Sequence, residues 1–285
     1  MNISLIDYLY ANLTFTQRIA KHLEKLRKAT YNWWAIIPFV IYPHPTRFRL
    51  RNGSTKTVSN YRDYADLVTN FQLEEPGRDF RYRANTLSFA YKGKRVFLHY
   101  EDMDTRNKAT MLAAQNFFEE NVDALDVRGR TIIDIGASIG DTAIKFALDG
   151  AKKVVAFEPE KHLHKIAGQN VRLNRLGKRI MLVNRAVRKI SDLDKYKGDA
   201  IKCDIDGGEY DLFLKASDET LSRYSEILLE YHRGYKDLVR KLVGAGFKVT
   251  KTRPIRSFDI GNRETLWNGN ILASRHGAKA VKSRF

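Results

Sequence analysis

Thr131-Ile-Ile-Asp134-Ile-Gly136-Ala137-Ser138-Ile-Gly140-Asp141 is the stretch that decides the fold. Thr131 to Ile135 is a short apolar run of strand length, and Thr142 to Leu148 continues at helical spacing. Between them lie Gly136, Ala137, Ser138 and Gly140, whose small side chains let a ligand approach the backbone. In open α/β sheets, ligands bind beyond the carboxyl ends of the strands, near the point where strand order reverses. A strand, a small-residue turn and a helix in succession make such a place.

The residues of the turn restrict the ligand. A dinucleotide turn needs Gly-x-Gly-x-x-Gly so that pyrophosphate can sit on the helix N-terminus. Here Ser138 and Asp141 stand at the second and third glycine positions, and Asp141 puts a carboxylate where a phosphate would go. A ligand with positive charge and no phosphate is favoured. S-adenosylmethionine, with its ammonium and sulfonium, suits Asp134 and Asp141, directly or through water. A second strand, Val154-Val-Ala-Phe-Glu158, ends in an acid that can accept hydrogen bonds from both hydroxyls of a ribose.

Outward from this turn the pattern is regular. Lys153–Phe157, Ile180–Asn184, Ala200–Asp204 and Glu226–Tyr231 read as strands, and Lys161–Asn174 and Lys236–Ala245 as helices. The alternation predicts a mostly parallel sheet covered on both faces. Phe247–Lys251 and Asn270–Ser274 are expected to close it as an antiparallel pair. This domain is placed at residues 127–275, followed by a basic tail, 276–285. Residues 1–126 are expected to be a mixed α+β accessory region for substrate recognition. It contains a basic amphipathic helix (Leu5–Lys28), an aromatic stretch with three prolines (Tyr31–Pro45) and a hairpin of Leu87–Tyr91 with Arg95–His99. A helix from Asp104 to Leu125 follows, with Asp104 as its N-cap.

Asp134 to Asp141, Phe157-Glu158-Pro159 and Asn170-Val-Arg-Leu-Asn174 together resemble the class I S-adenosylmethionine-dependent methyltransferases, in particular the FkbM family. Ser138 departs from that family's Asn. The resemblance spans Thr131 to Ser274. It implies a Rossmann-like methyltransferase sheet of seven strands with the last one antiparallel. It also implies that Glu158 holds the cofactor ribose and that Asn184, Arg185 and Ala186 lie near the adenine.

Lys202-Cys-Asp204-Ile-Asp206-Gly-Gly-Glu209 resembles the FkbM signature Lys-Ile-Asp-x-Glu-Gly-x-Glu, with Cys203 for Ile and Asp206 for the first Glu. Asp204 and Asp206 are two apart at a strand end and are expected to point the same way, with Asp204 also reaching the cofactor. Glu230 and His232 end the next strand at the same spacing. A hydroxyl needs a base, or a metal that lowers its pKa, before it attacks a methyl group. His232 titrates in the range of a general base. Asp204, Asp206, Glu209 and Glu230 either orient it or bind a divalent cation, with Asp204, Asp206 and Glu209 as the candidate ligands. No Asn-Pro-Pro-Tyr follows the strand, which argues against methylation of an exocyclic amine. The favoured acceptor is a hydroxyl on a sugar, glycan, glycolipid or metabolite. The alternatives are an RNA methyltransferase and a non-catalytic nucleic-acid-binding protein on the same scaffold.

The 285 residues carry 50 Lys and Arg against 33 Asp and Glu, a net charge of +17. Such an excess points to a polyanionic partner, nucleic acid or an acidic membrane surface. The helix Leu5–Lys28, with Arg18, Lys21, Lys25, Arg27 and Lys28, precedes Tyr31, Trp33 and Trp34. Residues 5–42 therefore suit packing on their own domain, peripheral membrane contact or a nucleic-acid groove. The longest apolar stretch, Trp33–Tyr42, is too short to span a bilayer and contains Pro38. No secretory leader is visible, and the single Cys203 can make no intramolecular disulfide, so a cytoplasmic location is expected.

Overall fold

The computed structural model describes residues 23, 26–27, 30–41, 44–50, 55–59, 79–118, 122–251, 255–259 and 264–275. Most of the expected helix Leu5–Lys28, and with it much of the 5–42 segment, lies outside the described residues, as does the tail 276–285. The chain forms two compact units. One comprises Met1–Phe80 with Ile255–Leu266, the other Arg81–Pro254 with Trp267–Phe285. The first contains an antiparallel pair, β1 (Thr46–Arg49) and β2 (Thr55–Val58), in which Thr46 faces Val58. Along β1, Phe48 is buried and Arg47 and Arg49 are exposed, as a strand with one covered face requires. Phe48 and Val58 share a small core with Leu26 and Ile36.

The second unit opens with a three-stranded meander: β3 (Arg81–Arg83), β4 (Thr86–Tyr91) and β5 (Lys94–His99). Lys92 and Gly93 turn the expected hairpin, both at positive φ, which matches the strand twist. The next helix, Met103–Leu112, is capped by Asp102 rather than Asp104. Asp102 accepts from the Thr105 amide, and Thr105 Oγ1 accepts from the Asp102 amide, so the two bonds close a capping box. Asp104 sits in the first turn. The α-helix does not continue to Leu125. It passes into a π-helical turn, Ala113–Phe118, whose Phe117 packs edge-on against Phe89 and Tyr91.

The large sheet consists of β6 (Thr131–Ile135), β7 (Lys153–Phe157), β8 (Ile180–Val183), β9 (Ala200–Cys203), β10 (Glu226–Tyr231), β11 (Lys248–Lys251) and β13 (Glu264–Ser274), with β12 (Ile255–Asp259) paired to β13 alone. Its order is β11-β13-β10-β9-β6-β7-β8. Strands β6 to β10 run parallel, and β13 is antiparallel to both of its neighbours. This is the mostly parallel, Rossmann-like sheet expected, with seven strands along its main path and its last strand reversed. The central strands are buried on both faces, which explains their continuous apolar runs. Strand order reverses at β6, which has β7 on one side and β9 on the other. The turns after β6 and β9 therefore flank one crevice.

The compact unit begins at Arg81, well before the boundary expected at residue 126. The helix Lys161–Leu173 and the residue after it provide the reason. Asn170 Oδ1 accepts from the His99 amide at 2.5 Å, and Asn174 Oδ1 accepts from the Phe97 amide at 3.0 Å. Asn174 Nδ2 also donates to the Phe97 carbonyl at 2.7 Å. Two asparagines one turn apart thus supply the edge of β5 with the hydrogen bonds a further strand would have made.

Candidate functional site

The turn after β6 is shaped by close backbone approach. The Gly136 and Ala137 amides both donate to the Phe157 carbonyl at 3.0 Å. Gly136 has φ +83°, and a Cβ there would lie 1.8 Å from the Asp204 carbonyl oxygen. Ser138 is also left-handed, at φ 48°, a conformation that Asn tolerates better than Ser. Ser138 Oγ is buried and has no hydrogen-bond partner. Gly140 caps the helix Asp141–Leu148 at φ +82°.

Each acid expected to meet a cofactor has protein partners. Glu158 accepts from the Ser138 amide at 2.8 Å and the Glu160 amide at 2.9 Å, so the acid at the end of β7 grips the turn after β6. Asp134 is fully buried. It accepts from Thr142 Oγ1 at 2.6 Å and lies 3.4 Å from Lys202 Nζ. The cation beside Asp134 is thus Lys202, which also donates to the Gly136 carbonyl at 3.2 Å and lies 3.9 Å from Asp204. Burial alone would favour a neutral amine. The carboxylates of Asp134, Asp204 and Asp141 outweigh it and raise the Lys202 pKa further above its usual range. Asp141 accepts from Asn116 Nδ2 at 2.6 Å, and burial pushes its pKa up to about 6. Asn184, expected near an adenine, donates to the Glu158 and Pro159 carbonyls, and Arg185 and Ala186 are exposed beyond it.

In the sequence Lys202 appeared only as part of a motif, with no role given to it, and Asn116 not at all. The available signal for Lys202 was a charge inside a strand otherwise buried throughout. Asn116 had none, because the π-helical turn that aims it is not visible in residue spacing. Asn170 appeared only within a motif. Its Nδ2 donates to the Ile139 carbonyl at 2.8 Å, so one buried amide ties the turn after β6 to the edge of β5.

The second cluster forms where β9 and β10 end. Asp206 (φ 48°) and Gly207 (φ +100°) turn the chain into the helix Glu209–Leu214. Glu209 is fully buried and accepts from the Gly207 amide at 2.7 Å and the His232 amide at 3.1 Å, and it bonds His232 Nδ1 at 3.1 Å. Tyr210 holds the next residues, donating to the Gly234 carbonyl and accepting from the Arg233 amide, both at 2.7 Å. His232 Nε2 then faces Asp206 at 3.6 Å and Asp204 at 4.0 Å. The structure therefore brings Asp204, Asp206, Glu209 and His232 into one chain, with Glu209 behind the imidazole rather than beside the two aspartates.

These contacts shift the titration of His232 upward. The Glu209 hydrogen bond, aided by the Glu209, Glu230 and Asp204 charges and opposed by burial, raises its pKa to about 9. That shift favours the imidazolium, a hydrogen-bond donor, over the neutral base. Glu230 moves to about 7, chiefly through burial and then through Asp204. Cys203 is buried and its thiol pushed well above its usual range by desolvation, so it is inert at neutral pH.

Comparison with known proteins gives a viral relationship. Over 127 residues the chain is 30% identical to uncharacterized protein 65 of Sulfolobus islandicus filamentous virus (isolate Iceland/Hveragerdi), covering 43% of this chain and 74% of that protein. The chain belongs to the family of that viral protein. It is also 43% identical over 54 residues to uncharacterized protein 158B of Sulfolobus islandicus rod-shaped virus 1, where the match spans 19% of this chain and only about a third, 34%, of the relative. No family model matches. Among solved structures, the ribosomal protein L11 methylase of Lactobacillus delbrueckii subsp. bulgaricus is similar at 21% identity, covering 63% of this chain and 82% of that one, with a TM-score of 0.42. The precorrin-6y C5,15-methyltransferase of Geobacter metallireducens GS-15 is similar at 15% identity, covering 61% and 90%, with a TM-score of 0.39. Among the described residues no helix is long and apolar enough to cross a membrane.

Proposed function

We propose that the protein is an S-adenosylmethionine-dependent methyltransferase that acts on a hydroxyl oxygen. The observation that carries this reading is the contact of Gly136 with the Asp204 carbonyl, where a Cβ would lie at 1.8 Å. It joins a turn suited to a cationic, phosphate-free ligand to the acid–histidine chain at the end of β9. The residues fit such a cofactor: Ser138 Oγ is buried without a partner, and Asp141 is a buried acid whose partner is a neutral amide. Glu158, Asp141 and the turn from Gly136 to Gly140 would hold it. When bound, the cofactor supplies an electrophilic methyl group on sulfur.

The chain's own residues would manage the proton. Glu230, near 7, accepts it from the acceptor hydroxyl, while the His232 imidazolium, near 9, donates to the oxygen as charge develops. Glu209 fixes which imidazole nitrogen faces outward. A second reading is supported by the convergence of Asp204, Asp206 and His232, whose ligand atoms all lie within 4.8 Å of one another. A divalent cation there would replace the proton on Nε2, with Glu209 orienting the ring from behind.

Calorimetry with S-adenosylmethionine should show binding that Glu158→Gln weakens at least tenfold; equal binding by that variant would remove the cofactor assignment. Labelled methyl transfer should collapse in Glu230→Gln with cofactor binding kept. Loss of transfer on chelation, restored by a divalent cation, would select the second reading.

A further inference from the structure

From Lys161 to Ser191 the sequence contains nine Lys and Arg and no carboxylate. This segment forms the helix Lys161–Leu173, the strand β8 at one edge of the sheet, and the loop that leaves it. Arg172, Arg175 and Lys178 lie before β8, and Arg185, Arg188 and Lys189 after it. All six are exposed, and none has an ion-pair partner among the described residues. Several cations elsewhere in this unit are ion-paired. Lys215 pairs with Asp211, Arg223 with Asp194 and Glu219, Arg240 with Asp237, and Lys241 with Asp218. Part of the positive charge beside β10 is thus neutralised locally, while that of the six cations flanking β8 is not. Because β8 runs parallel to β6 and β7, the cations after it lie at the strand ends where the turn after β6 and Glu158 also lie.

We infer that the β8 edge binds the phosphate backbone of an RNA strand and presents one of its hydroxyls to the site. Four of the six cations are arginines, which match phosphate oxygens with two donors at once. A row of unpaired charge that begins before an edge strand and continues beyond its far end suits a repeating polyanion better than a single anion. Edge strands also use charge to block pairing with other chains, but the cations here lie outside β8 itself, in the flanking segments. The inference rests on the methyl-transfer reading for the choice of RNA, whose ribose carries the hydroxyl; the binding surface itself does not depend on that reading.

The test is anisotropy of a labelled single-stranded RNA with the full chain over a range of salt, without cofactor. The wild type should show a steep loss of affinity with salt. Arg185→Gln/Arg188→Gln/Lys189→Gln should flatten the log–log slope by about 2, from roughly 0.7 per phosphate contact on a single strand. Arg223→Gln/Arg240→Gln should leave the slope unchanged. The Lys form, Arg185→Lys/Arg188→Lys, keeps the charge and should bind within a few-fold of wild type. That variant guards against misfolding in the triple mutant. Equal slopes in the wild type and the triple Gln variant, or an equal loss in the Arg223/Arg240 control, would overturn the inference. Vesicles rich in anionic lipid that bind through the same three residues while RNA does not would do so as well. Binding of RNA without methyl transfer would leave the surface standing and remove the catalytic reading instead.

Discussion

Gly136→Ala tests the contact on which the site depends. The added Cβ would lie 1.8 Å from the Asp204 carbonyl oxygen, against the 3.4 Å at which ordinary contact begins, so the turn and the end of β9 would have to part by about 1.6 Å. Three backbone hydrogen bonds resist that movement: Gly136 and Ala137 fix the turn to Phe157 of β7, and Asp204 fixes the end of β9 to Ile135 of β6, each at 3.0 Å. Losing two or three of them removes roughly 2–3 kcal/mol at about 1 kcal/mol each. A left-handed alanine adds about 1–2 kcal/mol, partly offset by the lower entropy of the unfolded chain. The expected loss is about 3–4 kcal/mol. Gly129→Ala is the control, since it shares a positive φ of +71° but meets nothing within 4 Å. It should cost only about 1 kcal/mol. Urea denaturation of both variants, followed by circular dichroism, measures the difference. Equal losses would mean that conformation alone, and no close approach of Asp204, explains this glycine. S-adenosylmethionine binding should fall in Gly136→Ala and persist in Gly129→Ala.

Two other outcomes follow from the charges and the appended hairpin. Glu230 has a raised folded pKa, so the unfolded carboxyl holds fewer protons between about pH 4.5 and 7 and stability falls across that window. Glu230→Gln should abolish that fall and be more stable than wild type by roughly 1–3 kcal/mol at pH 8, with the difference gone below pH 4.5; an unchanged pH profile in denaturant melts would refute the burial of a titrating acid. Asn170→Leu removes the amide that joins the Ile139 carbonyl to the His99 amide, and should raise the KM for the cofactor several-fold with kcat little changed. Asn170→Asp, which keeps the acceptor for His99 but loses the donor to Ile139, separates the two bonds, and a kcat loss at constant KM would contradict the positioning role.

Much of the fold was legible because β6, β7, β9 and β10 are buried on both faces and so read as short apolar runs at regular spacing. The hairpin was legible from alternation around Lys92-Gly93. The π-helical turn at Ala113–Phe118 was not, since a π-helical turn differs from an α-helix in its hydrogen bonds and hardly in residue pattern. Nor was the N-cap at Asp102. Two aspartates two apart compete for that place, and only the bond to Thr105 decides between them.

The sequence by itself determined that a small-residue turn with acids, and no phosphate-binding glycines, follows the first strand of a parallel sheet. Side-chain type and spacing suffice for that, because close backbone approach needs small residues and a phosphate cannot share its place with a carboxylate. Only the tertiary structure decided what those acids do. Asp134 is matched to Lys202, Glu209 to His232, and the hairpin before residue 126 is tied to the turn through Asn170. Each of these depends on a partner supplied from another part of the chain. Its distance and burial set the charge of His232, and no local pattern encodes them.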